Sequence, residues 1–237
     1  MKRDPSPLPS STAAADVQAF LEKLAEVPAR PRGEGRGRLV FAMDATASRE
    51  PTWDTACQIQ AEMFDETRTL GGLDVQLCYY RGFQELVASP WVSDPAALRE
   101  RMTGVRCAAG QTQIIRVLEH TRAEVLGHRV NALVFVGDCM EEDIGALQDA
   151  AGGLGLVGVP AFMFHEGFDP LAAEAFRAVA RLTRGAYSRF DSGSAQQLRD
   201  LLAAVAVYAS GGREALARLG ERRGGIVGRL SHQLTKS

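Results

Sequence analysis

Asp44, Thr46 and Ser48 follow the apolar run Leu39 to Met43 at alternate positions, an acid and two hydroxyls within five residues. Such a trio offers hard oxygen atoms, which suit a divalent cation, a nucleotide contact or a nucleophilic carboxylate. A second apolar run, Ala132 to Gly137, ends on Asp138, and Thr112 stands just ahead of a helical pattern that begins at Ile114. Uninterrupted apolar runs read as strands buried on both faces, so both aspartates belong at strand carboxyl ends. In an open α/β sheet those ends line the ligand crevice, and five carboxylate or hydroxyl groups meeting there make a magnesium-type site.

The elements that must position these residues are legible from periodicity. After Pro51, the residues Ala56, Ile59 and Met63 keep helical spacing until Gly71-Gly72. Leu73, Val75, Leu77 and Tyr79 alternate as in a strand, and Gly82 turns the chain into the run Phe83 to Ala88. So short a link pairs these two runs antiparallel at a sheet edge. Asp94-Pro95 opens a helix through Met102, and a helix bearing Ile114, Val117, Leu118 and Val125 precedes the strand that ends at Asp138. A helix near 143–151, a strand near 157–164, a helix started by Asp169-Pro170 and a strand at Tyr187–Phe190 follow. Ser194 and Gln197 form a capping-box pattern before Leu198, Leu201, Leu202 and Val205. The fold expected is α/β: a doubly wound, mostly parallel six-stranded sheet with one antiparallel edge strand and helices on both faces. Residues 1–36 read as a flexible N-terminus with a short helix at 16–27 and a linker, 37–210 as the domain, and 211–237 as a basic helical tail.

With these residues placed, the chain resembles a von Willebrand factor A-type domain carrying a metal-ion-dependent adhesion site. The family motif D-x-S-x-S is matched by Asp44, Thr46 and Ser48, its downstream threonine by Thr112 and its fourth-strand aspartate by Asp138. The resemblance spans residues 37–210 and extends to the edge hairpin and the order of elements. It implies that Thr46 and Ser48 ligate a magnesium or manganese ion directly, Thr112 directly or through water, and Asp44 and Asp138 largely through water. With both carboxylates held largely through water, the resemblance implies that some coordination places stay with water, one of which a glutamate or aspartate of a partner protein takes. Thr46 departs from the usual serine, keeping the hydroxyl and adding a methyl group. The function so implied is a non-catalytic protein-interaction module, and a scaffold with an idle metal site is one alternative.

Each site residue also has a plainer reading. Ser48, Thr112 and Asp138 all precede helices, where such side chains serve as caps. Their shared order and placement with Asp44 and Thr46 favour the metal site. Haloacid-dehalogenase-like phosphohydrolases also end their first strand on an aspartate, which would make Asp44 a nucleophile, and Val136-Gly137-Asp138 with Glu142 resembles their acidic motif. Those enzymes usually carry a second aspartate where Thr46 stands and hold the phosphoryl group with a lysine, whereas lysine occurs here only at Lys2, Lys23 and Lys236. Gly153 to Gly158 fits G-x-G-x-x-G but follows a helix and precedes a strand, so it reads as a helix stop and connector. His165, with Glu166, lies at another strand's carboxyl end and Cys139 directly follows Asp138, so either could touch the crevice, but they read first as a loop histidine and a small buried thiol, and Trp53 and Trp91 read as packing residues.

A chain of 237 residues suffices for one sizeable α/β domain. Its net charge of −2 supplies no basic field for nucleic acid or an acidic membrane. No apolar segment is long enough to span a bilayer, and Met1 to Ser11 lacks the apolar core of a signal peptide. Cysteines 57, 78, 107 and 139 form no C-x-x-C pair and read as reduced thiols of a cytoplasmic protein. The partner expected is therefore a protein, neither nucleic acid nor membrane, and the oligomeric state is left open.

Overall fold

Strand β1 (Gly37–Asp44) is buried along nearly its whole length because helices cover both of its faces. The computed structural model describes residues 36–68, 72–190 and 195–223. The helix expected at 16–27, the linker before Arg36 and the chain beyond Arg223 lie outside them. After β1 come a 3₁₀ turn at Ala47–Arg49, helices α1 (Glu50–Ile59) and α2 (Ala61–Thr67), and strands β2 (Leu73–Arg81) and β3 (Glu85–Ala88). Helices α3 (Pro95–Thr103) and α4 (Ile114–Glu124) lead to β4 (Ala132–Gly137), then α5 (Ile144–Leu156), β5 (Ala161–Glu166), α6 (Pro170–Leu182), β6 (Ala186–Phe190) and α7 (Ala195–Arg223).

The six strands lie in the order β3-β2-β1-β4-β5-β6, and every pairing is parallel except β2 with β3. This is the doubly wound sheet with one antiparallel edge strand that the alternating pattern predicts. Leu39, Phe41 and Met43 point into a layer built with α1, α2, α3 and α7, while Val40 and Ala42 point into a layer built with α4, α5 and α6. Burial on both faces is what removes polar alternation from β1, β4 and β5. In β2 the same cover buries Cys78 and Tyr80 completely, although they fall on the face that alternation alone would leave to solvent.

Local boundaries follow from identifiable residues. The Asp94 and Asp169 carboxylates accept from the backbone N–H groups of Ala97 and Ala172 at 3.0 and 2.7 Å, with proline in the first turn of each helix. The glycine run differs from its reading as a stop. Helix α5 continues to Leu156, so Gly153 and Gly155 are helical, and a Cβ at Gly155 would lie 2.3 Å from the Leu182 carbonyl oxygen. Close packing of α5 on the end of α6 accounts for that glycine, and only Gly158, with φ of 71°, turns the chain toward β5. Strand β5 accordingly begins at Ala161, later than the periodicity predicts.

Helix α7 breaks at Gly212, whose φ of 66° and ψ of −163° are not helical, and beyond it Ala215, Leu216 and Leu219 return to the first core layer. Ser194 lies outside the described residues, and the Gln197 amide donates to the Arg189 carbonyl at 2.8 Å.

Candidate metal centre

β1 and β4 are neighbours at the point where the strand order reverses, with Met43 opposite Val136, so Asp44 and Asp138 leave the sheet side by side. One oxygen of each carboxylate is held. The Thr46 backbone N–H donates to Asp44 Oδ1 at 2.7 Å, and the Ser48 hydroxyl donates to Asp138 Oδ2 at 3.1 Å. The other oxygens, Asp44 Oδ2 and Asp138 Oδ1, are buried with no hydrogen-bond partner among the described residues. A carboxylate oxygen of Asp44, one of Asp138 and Cys139 Sγ lie within 4.8 Å of one another.

The local field is that of crowded negative charge. Burial raises the Asp44 carboxyl above its ordinary value, against hydrogen bonds from Thr46 that lower it, and the Asp138 charge adds to the rise. Burial followed by the charges of Asp138 and Asp44 pushes the Cys139 thiol up to about 12. Tyr80, beneath Asp44, is raised well above the usual phenol value by burial and then by the Asp44 charge. A cation at this point would offset the cost of burying two carboxylates whose outer oxygens make no well-formed hydrogen bond, with only Tyr80 close to Asp44 and Cys139 close to Asp138.

Thr112 arrives on the loop between α3 and α4. That loop is fastened to the β1 end by the Ala108 N–H, which donates to the Ala45 carbonyl at 3.0 Å, and to the β2–β3 turn by the Gln111 N–H, which donates to Gly82 O at 3.0 Å. Thr112 and Glu141 bond reciprocally. The Thr112 N–H donates to Glu141 Oε2 at 3.1 Å, and the Glu141 N–H donates to Thr112 Oγ1 at 3.0 Å. Asp44, Ser48 and Asp138 are thus brought together directly, Thr46 through its own backbone, and Thr112 through the loop that carries Asp138.

The capping reading of these residues is not what the structure uses. The 3₁₀ turn, α1 and α4 carry no side-chain cap at Thr46, Arg49 or Gln113. The first N–H groups of α4 are taken instead by Glu142, which accepts from Ile114 at 2.5 Å and Ile115 at 3.0 Å, and α5 is capped by Asp143, not by Asp138. Ser48, Thr112 and the two aspartates bond within the crevice instead of capping helices.

Sequence reasoning missed Arg49 and named Glu166 only beside His165 at a strand's carboxyl end. Arg49 is only 3% exposed, its Nη1 lies 3.4 Å from Asp138 Oδ2, and its Nη2 pairs with Glu166, which also accepts from the Thr52 hydroxyl. Glu166 had a signal, since β5 is another apolar run that ends on an acid. Arg49 had none, because an arginine in a polar loop reads as a solvated side chain. His165 is a buried strand residue and not a loop histidine. Its Nδ1 meets the Tyr187 hydroxyl at 2.9 Å, and its Nε2 meets the Asp138 carbonyl at 3.3 Å. Cys139 is half-buried and belongs to the carboxylate cluster. Trp53 and Trp91 pack, their indole N–H groups donating to the Met102 carbonyl and the Glu124 carboxylate at 2.9 Å each.

No protein-family model and no curated protein sequence matches the chain. Among solved structures it is similar to the pilus adhesin SpaC of Lactobacillus rhamnosus GG in its open conformation, with a TM-score of 0.61 and 9% identity over 79% of this chain. The mussel byssus proximal thread matrix protein 1, with a zinc-occupied MIDAS motif, superposes with a TM-score of 0.59 and 15% identity over 73% of this chain. The VWA domain of SpRpn10 gives a TM-score of 0.55 and 15% identity over 70% of this chain. The chain spans 31% of the adhesin, 46% of the byssus protein and 94% of the isolated VWA domain. At these identities the likeness is one of architecture, and the sheet order, edge hairpin and paired strand ends agree with it: the chain has the fold of a von Willebrand factor A domain.

Proposed function

We propose that this chain is a non-catalytic protein-interaction module. In this reading Asp44, Thr46, Ser48, Thr112 and Asp138 hold a divalent cation, magnesium or manganese, and the site takes a glutamate or aspartate of a partner protein. The observation that carries the reading is the pair of buried, unpartnered oxygens, Asp44 Oδ2 and Asp138 Oδ1, on adjacent strand ends. When bound, the ion supplies a positive centre with coordination places left for an incoming carboxylate.

The chain's own residues do the positioning. The Thr46 N–H fixes one carboxylate, Ser48 and Arg49 fix the other, and the Thr112–Glu141 pair ties two loops into one rim. Phe83, in the turn after β2, and Phe168, in the loop after β5, are exposed at 73% and 76%. Both stand at the carboxyl ends of the parallel strands, where the site lies, one on either side of β1 and β4. Exposed aromatics beside a polar centre suit contact with another protein. The zinc-occupied motif of the byssus protein and the adhesin neighbour support a divalent cation and a binding role in domains of this fold. A cytoplasmic setting belongs to the same proposal: none of the four cysteines is in a disulfide, and no helix of the described residues is long and apolar enough to cross a membrane.

Affinity capture on the full chain, with magnesium and with EDTA, tests the reading. Partner retention is expected in magnesium and lost both in EDTA and in Asp44→Ala. Undiminished retention in EDTA overturns the metal-bridged mechanism. Failure of magnesium or manganese to raise the melting temperature replaces it with a scaffold whose site is idle. Turnover of a generic phosphate ester that disappears in Asp44→Ala replaces it with a phosphohydrolase.

A further inference from the structure

We propose that Cys139 is a ligand of the candidate metal centre and gives it a preference for a thiophilic divalent ion such as zinc over magnesium. The inference deepens the reading of the site as a cation centre and rests on it. Three observations carry it. First, Cys139 Sγ lies within 4.8 Å of a carboxylate oxygen of both Asp44 and Asp138, so one ion can reach all three atoms with modest movement. Second, Asp44 is 1% exposed, and its Oδ2, near the Tyr80 hydroxyl, makes no well-formed hydrogen bond among the described residues. The thiol therefore does not stand alone, but beside a buried carboxylate oxygen without a partner. Third, Cys139 is half-buried in the loop after β4, whereas Cys57 and Cys78 are enclosed in the core and the half-buried Cys107 is not in the cluster.

The chemistry then follows from ligand softness. An all-oxygen site suits magnesium, while replacing one oxygen by a thiolate favours zinc, which accepts sulfur at tetrahedral or five-coordinate geometry. On coordination the S–H bond breaks, a metal–sulfur bond forms, and the proton passes to solvent. The Asp44 and Asp138 carboxylates take two of the remaining places, and a crevice hydroxyl or water completes the zinc coordination.

Titration calorimetry of the full chain in a non-thiol reductant, with zinc and magnesium chlorides separately, is the first measurement. Zinc is expected to bind more tightly than magnesium, and Cys139→Ser to weaken zinc by about tenfold or more while leaving magnesium within about twofold. Unchanged magnesium binding also shows that the variant is folded. Cobalt loading gives a second readout: a thiolate-to-cobalt charge-transfer band in the near ultraviolet, absent in Cys139→Ser and retained in Cys107→Ser. If zinc binds but Cys139→Ser changes neither its affinity nor the cobalt spectrum, the thiolate ligand is overturned while the metal site stands. If the band follows Cys107, the assignment of the ligand is overturned. If neither ion binds, the metal centre itself falls, and this inference with it.

Discussion

Asp44 is the residue on which the site turns, because its carboxylate is buried with one oxygen satisfied and the other not. Its raised titration in the metal-free chain has a definite sign. The folded state keeps the proton to higher pH than the unfolded state, so this group's contribution is full below the ordinary value of 3.8 and is lost as pH rises through the raised one. Asp44→Asn is therefore expected to leave the metal-free protein at least as stable as the parent near neutral pH and to abolish the magnesium-induced rise in melting temperature. Urea titrations with and without magnesium measure both effects. Arg49 behaves oppositely, since it is the cation that keeps Glu166 and Asp138 together inside the protein. Arg49→Met should cost on the order of 3–5 kcal/mol because it leaves Glu166 charged and unpaired, and adding Glu166→Leu should restore most of that loss. A double-mutant cycle by urea denaturation checks it, and simple additivity of the two costs would refute the pairing.

At the scale of elements, the site is an arrangement of loops more than of strands. β1 and β4 supply the two acids, but Thr112 depends on a loop that packs without clearance against the β2–β3 turn. A Cβ at Gly110 would lie 2.1 Å from the Gly82 carbonyl oxygen, so Gly110→Ala must displace that loop. We expect a loss of about 1–3 kcal/mol in stability and a fall in magnesium affinity, with the far-ultraviolet circular dichroism unchanged. Calorimetry and denaturation on the same variant measure the two together, and unaltered metal affinity would show that Thr112 is dispensable. The hairpin, the proline-started helices and the apolar strands were readable in the residues, because each is set by local periodicity and turn chemistry. The end of α5 was not, because Gly153 and Gly155 look like a stop until the neighbouring helices show why a small residue is required there.

For the whole molecule, the two-sided cover of the sheet sets the pH response as well as the fold. His120, whose Nε2 meets Gln76 Oε1 at 2.9 Å, and His165 in β5 are both lowered from 6.5 chiefly by burial. The folded state then binds fewer protons than the unfolded one between that value and the lowered one. Their contribution is present above pH 6.5 and lost as pH falls through the lowered values. Urea midpoints should drop between neutral pH and about 5, and His120→Gln should shrink that drop, whereas an identical profile would exclude His120 as a source. The residues by themselves determined the six strands, their α/β order and the placing of Asp44 and Asp138 at strand ends, because apolar runs and turn residues act over a few positions of chain. The doubly wound order already implied that β1 and β4 are neighbours, but only the tertiary structure decided that Glu142 and Asp143 cap helices so that Asp138 need not, that Arg49 pairs with Glu166 beside the acids, and that Cys139 joins them. Those are contacts between residues far apart in the chain, chosen by burial and charge compensation, which leave no period in the sequence.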